Sequence, residues 1–115
     1  MKKDYSIFIR HIAQSIEDIE RYAGSMAEEE FISNDLVHNA VIRKLEIIGE
    51  AVGNVPLSFT SKYPSVPWQN IKDTRNKLIH KYFGVDLQLV YDILKKDLPP
   101  LKKEMKRILE QSEVP

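Results

Sequence analysis

The segment between Leu36 and Val52 is the feature that most restricts how this chain can fold. Its apolar residues cover about half of a helical wheel drawn at ~100° per residue, and one neighbouring helix cannot bury so wide an arc. We therefore expect this helix to lie at the centre of a helical bundle, or also to contribute to a subunit interface. The apolar residues of the arc are Leu36, Val37, Ala40, Val41, Leu45, Ile47, Ile48, Ala51 and Val52.

A first helix precedes this central one. Apolar residues recur at helical spacing over residues 5–23, Asp4 can cap the start, and Gly24 can end the helix. Ser25 and Glu28 then stand at the spacing of a capping box, which predicts a short helical turn before the central helix.

The central helix and the next long helix are separated by a connecting segment. We place the start of the central helix at residues 33–35, which read Ser, Asn, Asp. Residues 53–67 contain three prolines, so we expect a connection there, with one short helix around residues 57–61. A third long helix follows, because Pro67 suits its first position and Gly84 suits the residue just past its end.

The last helix is expected to start after Asp86, whose side chain can cap it. Pro99 and Pro100 lack N–H donors and clash one turn back, so we expect this helix to be kinked at Pro99-Pro100. No strand-like alternation competes with these patterns. The sequence therefore predicts an all-α fold, a single domain over residues 1–115 built as a bundle of four main helices plus short helical turns.

Composition excludes several classes of function. The 115 residues include no cysteine, which rules out disulfides, thiolate catalysis and Cys-based zinc sites. No HxxxH, HxxE or carboxylate cluster at ligand spacing is present, so we expect no metal site and no cofactor. The N-terminal residues break every apolar run, so we expect neither a signal peptide nor a membrane span, and we expect a cytoplasmic protein.

The charges are segregated along the chain although the net charge is zero. Residues 1–61 carry 6 Lys and Arg against 10 Asp and Glu, whereas residues 62–107 carry 11 against 5. A basic half suggests an anionic partner, although solvated lysine-rich helix faces would give the same count.

The stretch DTRNKLIHKYFG, residues 73–84, contains an arginine where an amphipathic helix should be apolar. Trp68, Ile71, Leu78 and Tyr82 form an apolar seam with steps of three and four residues, and Arg75 fills the slot in its middle. Either this helix lacks a buried apolar seam, or Arg75 has a function of its own.

The same stretch contains the minimum set of groups for metal-free cleavage of RNA. His80 can exchange a proton near neutral pH, and the guanidinium of Arg75 can neutralise charge that develops on a phosphate. The two residues lie about 140° apart on a helical wheel, so one straight helix does not aim both at one point. The ordinary alternative is a surface arginine, a capping histidine and a half-buried tyrosine, and spacing alone does not decide between them.

Four blocks of sequence carry a family resemblance. Arg75, His80 and Tyr82 spell RxxxxHxY with Asn76 directly after the arginine, and the blocks LEIIGEA (45–51), YPSVPW (63–68) and DLPPL (97–101) accompany this motif in order. Together they resemble the HepT-like toxins of the HEPN superfamily, over nearly the whole chain.

The resemblance implies a HEPN-type bundle that forms a homodimer with a composite cleft and cuts RNA without a metal. In such a dimer we expect the Arg75 seam to face the partner subunit and an RNA phosphate rather than a closed apolar core. It implies catalytic roles for Arg75 and His80, and supporting roles for Asn76 and Tyr82. It also implies a type VII toxin-antitoxin system, in which a minimal nucleotidyltransferase (MNT) antitoxin transfers AMP onto Tyr82. The alternative is a non-catalytic nucleotide-binding or acceptor subunit of a nucleotidyltransferase complex.

Basic residues of the last helix are further candidates for binding an anionic partner. They could form a track for the RNA backbone, and loss of any one should change the salt dependence of binding rather than abolish cleavage. The residues of this basic track are Lys95, Lys96, Lys102, Lys103, Lys106 and Arg107.

Overall fold

The computed structural model describes residues 4–80 and 86–113, and within them the protein is all-α, as the sequence predicts. The four long helices, α1, α3, α5 and α7, confirm the expected bundle of four main helices. The bounds are α1 Ser6–Ala23, α2 Glu28–Ser33, α3 Asp35–Gly53, α4 Leu57–Thr60, α5 Trp68–His80, α6 Leu87–Asp92, a π-helical segment Ile93–Asp97, and α7 Leu98–Glu113.

Short polar side chains lie at the predicted places before α1, α3 and α6. The Asp4 carboxylate accepts a hydrogen bond from the Ser6 N–H at 2.9 Å, ahead of α1. The Asn34 side chain caps α3, and the Asp86 side chain caps α6. These bonds satisfy N–H groups that have no partner inside the helix.

The predicted start of α2 is wrong. The helix begins at Glu28 rather than after Ser25, and Ala27 is the residue that precedes it. The Glu30 carboxylate accepts a hydrogen bond from the Ala27 N–H at 3.3 Å, so the glutamate half of a capping box is present two residues later than expected.

Helix α3 occupies the central position that its wide apolar arc predicts, and it packs against α1, α2 and α5. Leu36 is the exception within the arc, because it lies in the first turn of α3 and is 83% exposed. Helix α7 packs against α1 on the other side of the core. The largest fully buried side chains are Phe31, Ile9, Ile12, Ile16, Ile19, Met105, Ile108, Val41, Val52 and Val90.

An ion pair ties α1 to α3 at the edge of this core. Lys44 Nζ lies 2.9 Å from Asp18 Oδ2, and the Asp18 side chain is only 11% exposed. Gln14 and Arg21 also donate hydrogen bonds to Asp18, at 3.1 and 3.0 Å. The hydrogen bond from Lys44 is the main reason why the pKa of Asp18 is lower than that of an ordinary aspartate.

The interruption expected at Pro99 and Pro100 takes the form of a π-helical segment. The Leu98 N–H bonds to the carbonyl of Ile93, five residues earlier, where the preceding segment passes into α7. The two prolines then fall in the first turn of α7, where the missing N–H groups are best tolerated. None of the helices in the described part of the chain combines the length and the apolar content that a membrane crossing needs.

Candidate active site

Helix α5 carries the motif, and its apolar residues fix which way it faces. It starts at Trp68, directly after Pro67, and the Trp68 indole N–H donates to the Tyr63 carbonyl at 3.1 Å. Trp68, Ile71 and Leu78 are partly buried against the core of their own chain. The expectation that this seam avoids a closed apolar core is therefore wrong for these three residues, since α5 packs on α3. Contact of the seam with a partner subunit remains a prediction.

The side chain of Arg75 lies against Gly49 of α3. Gly49 is buried, and a Cβ atom at this position would overlap Cβ and Cγ of Arg75. The two helices can therefore approach closely here only because residue 49 has no side chain. This contact sets the course of the Arg75 stem through the slot between Ile71 and Leu78.

Sequence reasoning missed Gly49 as a residue of the site. The available signal was a glycine in the interior of a helix, at the edge of a wide apolar arc. Such a glycine costs helix stability and often marks a close approach of another chain segment. A helical wheel does not identify the segment that approaches the glycine.

The guanidinium of Arg75 contains a donor that lacks an acceptor. Its Nε atom is buried, and no hydrogen-bond partner for it exists among the described residues. A buried donor without an acceptor costs roughly 1–3 kcal/mol, and native structures contain few of them. The rest of the guanidinium also makes no hydrogen bond or ion pair with another described residue, so the terminal N–H groups of Arg75 have unused capacity to bind an anionic oxygen.

The other motif residues are only partly described. Asn76 follows Arg75 on α5 and is exposed. His80 is the last residue of α5, but its side chain lies outside the described residues, and so does the whole of Tyr82. The roles assigned to Asn76, His80 and Tyr82 remain predictions.

The basic track divides into paired and unpaired residues. Lys102 Nζ lies 2.7 Å from a Glu20 carboxylate oxygen, and this hydrogen bond raises the pKa of Lys102. Lys106 pairs with Glu17 at 3.7 Å. Both acids belong to α1, so these two lysines connect α7 to α1.

Lys95 and Arg107 also have partners. Lys95 donates to the Gly24 carbonyl at 2.7 Å, and Arg107 pairs with Glu104. Lys96 and Lys103 are exposed and make no ion pair or hydrogen bond with another described residue. The RNA-binding role of the track remains a prediction, and these two lysines are the members best placed to perform it.

The acidic and histidine residues do not form a recognisable metal centre in the described part of the chain. Residues 4–80 and 86–113 contain no group of three or more His, Cys, Asp and Glu side chains that could hold an ion. The candidate site therefore consists of Arg75 in its α3–α5 slot and the residues that follow it on α5.

Comparisons with known proteins identify the family of this chain. A family model described as ribonuclease HepT-like matches residues 12–108. A protein of Thermococcus cleftensis named "Probable ribonuclease HepT" is 39% identical over 108 residues, which are 94% of this chain and 98% of that protein. A Caldanaerobacter subterraneus protein named "Putative RNase TTE0752" is 38% identical over 104 residues, covering 90% of this chain and 93% of the relative.

A longer relative occurs in Methanocaldococcus jannaschii. It is named "Gamma-glutamylcyclotransferase and putative RNase MJ0434", and it is 46% identical over 111 residues, which are 96% of this chain but only 50% of that protein. No solved structure matches the chain. The family model and the two relatives matched over almost their whole length show that this chain belongs to the ribonuclease HepT-like family of the HEPN superfamily.

Proposed function

We propose that this protein is a metal-independent endoribonuclease that cleaves RNA with Arg75 and His80. The observation that carries the proposal is the guanidinium of Arg75, which has no acceptor among the described residues, on the helix that also carries His80 of the RxxxxHxY motif. Relatives over 90% or more of the chain are named as ribonucleases, which supports the same activity.

In the proposed reaction, the 2′-hydroxyl of the RNA attacks the adjacent phosphorus and the bond to the 5′-oxygen of the next nucleotide breaks. His80 takes part in the proton transfers, which move one proton from the 2′-oxygen and deliver one to the 5′-oxygen. Arg75 donates to the non-bridging oxygens as their negative charge increases. The products are a 2′,3′-cyclic phosphate and a 5′-hydroxyl.

We further propose that the active site is a composite cleft between two copies of the chain. Arg75 and His80 point about 140° apart on an α-helix. The stem of Arg75 lies against α3. A second α5 related by a two-fold axis can bring its own His80 opposite the first Arg75.

The biological role proposed for this activity is that of the toxin in a type VII toxin-antitoxin system in the cytoplasm. The partner is a minimal nucleotidyltransferase antitoxin that moves AMP from ATP onto the Tyr82 hydroxyl, with release of pyrophosphate. The added nucleotide brings bulk and a negative charge to the place that an RNA phosphate must enter. Intact mass after co-expression should show added AMP on the wild type and none on Tyr82→Phe, whereas AMP on Tyr82→Phe would contradict this acceptor.

The cleavage reaction can be tested with purified unmodified protein, tRNA and mRNA in the presence of EDTA. Wild type should cut, and Arg75→Ala should be slower by about 10²–10³-fold because a preorganised donor is lost. Arg43→Ala is the matched control, since Arg43 is exposed on α3 and pairs only at the surface with Glu46 and Glu50. An inert wild type, or equal rates for the two variants, would contradict the proposal.

A further inference from the structure

A cavity of about 350 Å³ lies between α3, α5, the π-helical segment and α7. It exists because α5 packs on α3 whereas α7 packs on α1, which leaves a space between α5 and α7. Its volume is within the range of sites that bind small organic groups. Its apolar lining includes Leu45, Ile48, Ile71, Ile93, Leu98 and Leu101.

The cavity adjoins the candidate active site through two neighbouring residues. Thr74 lines it and directly precedes Arg75 on α5. Ile48 lines it and directly precedes Gly49, the residue on which Arg75 packs. A group bound in the cavity would therefore lie beside the proposed position of the cleaved phosphate.

Two polar groups at the cavity have unused hydrogen-bonding capacity. The Asn70 carbonyl accepts from the Thr74 hydroxyl at 2.9 Å, but the side-chain amide of Asn70 bonds to no other described residue. Lys96 of the π-helical segment also lines the cavity, and its ammonium group has no partner among the described residues. An amide can both donate and accept, and an ammonium group can bind a phosphate oxygen.

The charges of the lining favour a neutral occupant in the cavity itself. Asp97 and Glu104 line it together with Lys96, and Glu104 is paired with Arg107, so the lining offers no excess positive charge to a free anion. An RNA base is neutral, has apolar faces, and presents donors and acceptors at its edge. Proteins that take a base out of its stack hold it between apolar side chains and read its edge with hydrogen bonds.

We propose that this cavity receives one unstacked base of the RNA, next to the cleaved bond, with the Asn70 amide on the base edge and Lys96 on an adjoining phosphate. The proposal rests on the proposed ribonuclease function and adds a base-reading subsite to it. Its consequence is that cleavage has a preference at one nucleotide beside the cut.

The test uses the His80→Ala protein as a binder that does not cut, and RNA oligonucleotides spanning a bond that wild type cleaves. Each nucleotide beside that bond is replaced in turn by an abasic one, and affinity is measured by fluorescence anisotropy. One abasic position should weaken binding about tenfold, as loss of one or two hydrogen bonds and an apolar contact would. Equal affinity for all the abasic RNAs would overturn the subsite.

Asn70→Ala, added to the His80→Ala protein, identifies the residue that reads the base. It should weaken binding of the intact RNA but cause no further loss with the sensitive abasic RNA, because the two changes remove the same contact. Gln69→Ala is the matched control, since the Gln69 amide bonds to Asp73 at 3.0 Å and does not line the cavity. Additive losses for Asn70→Ala would contradict its contact with the base.

A second measurement separates failure of the subsite from failure of the proposed function. The methyl NMR signals of Ile71 and Ile93 should shift when the four nucleoside 5′-monophosphates are added to wild type. Shifts in a protein that cuts no RNA would support the subsite and contradict the ribonuclease proposal. Cleavage without shifts or base preference would support the ribonuclease proposal and contradict the subsite. The absence of both cleavage and shifts would overturn both proposals.

Discussion

Gly49 lies directly beneath the side chain of Arg75, and the close approach of α3 and α5 at this point depends on the absence of a Cβ atom at residue 49. Gly49 is buried in the core, whereas Arg75 is only partly buried and belongs to the candidate site. The packing of two helices thus determines where the proposed catalytic cation is held. A substitution in α3 should therefore alter chemistry on α5.

Gly49→Ala should slow RNA cleavage because its methyl group would displace the stem of Arg75. It should also destabilise the fold by roughly 1–3 kcal/mol through overpacking, reduced by about 1 kcal/mol from the better helix propensity of alanine. Gly53→Ala is the matched control, because a Cβ there meets nothing within 4 Å. Urea unfolding and single-turnover cleavage measure the two effects, and a fully active Gly49→Ala protein would contradict the positioning role.

Asp18→Asn should reduce the free energy of unfolding near neutral pH by about 1–2 kcal/mol. It removes the negative charge of the carboxylate to which Lys44, Arg21 and Gln14 bind. The pKa of Asp18 is below its ordinary value of 3.8, so its carboxylate stabilises the fold above that pH. This stabilisation is lost as the pH falls below 3.8 towards the lower folded-state pKa.

Urea midpoints of wild type and Asp18→Asn should therefore converge as the solution is acidified. Asp92→Asn provides a control at an aspartate outside this network. A constant difference between wild type and Asp18→Asn at every pH would show that the Asp18 charge does not contribute to stability.

Lys103→Ala and Lys102→Ala should have different effects, although the two residues are neighbours on α7. Lys103 has no described partner, so its loss should weaken RNA binding and reduce the slope of log affinity against log salt by about 1. Lys102 is paired with Glu20, so its loss should lower the melting temperature slightly and leave the slope unchanged. Equal slopes for both variants and wild type would show that Lys103 of α7 does not bind the RNA backbone.

A mixture of Arg75→Ala and His80→Ala proteins should cleave RNA faster than either protein alone. Subunit exchange produces heterodimers in which one cleft can contain an intact Arg75 from one copy and an intact His80 from the other. Cleavage is measured after the two proteins are mixed under conditions that allow exchange. No gain in rate, with exchange verified by size or mass, would argue against a site shared between subunits.

Local features of the fold were predictable, whereas contacts between distant segments were not. Asn34 and Asp86 cap the expected helices because a cap depends on only three or four consecutive residues. Ser25 was a wrong start because Ala27 and Glu30 satisfy the same spacing two residues later. A wheel also showed that Arg75 occupies an apolar seam.

The packing of Arg75 on Gly49 could not be predicted, because it depends on which helix covers the seam. For the same reason, the sequence did not show that Lys102 would be paired with Glu20, 82 residues away. Both contacts form only when separate helices meet. Both involve residues for which the sequence predicts contact with RNA or with a partner subunit.

The most direct test of the proposed mechanism is the single-turnover cleavage rate of one RNA in EDTA by wild type, His80→Ala and His11→Ala. His11 is an exposed histidine on α1, so it controls for the loss of an imidazole elsewhere on the protein. Wild type and His11→Ala should cut at the same rate, and His80→Ala should be slower by about 10²–10⁴-fold. Equal rates for all three proteins would contradict a catalytic role for the RxxxxHxY motif.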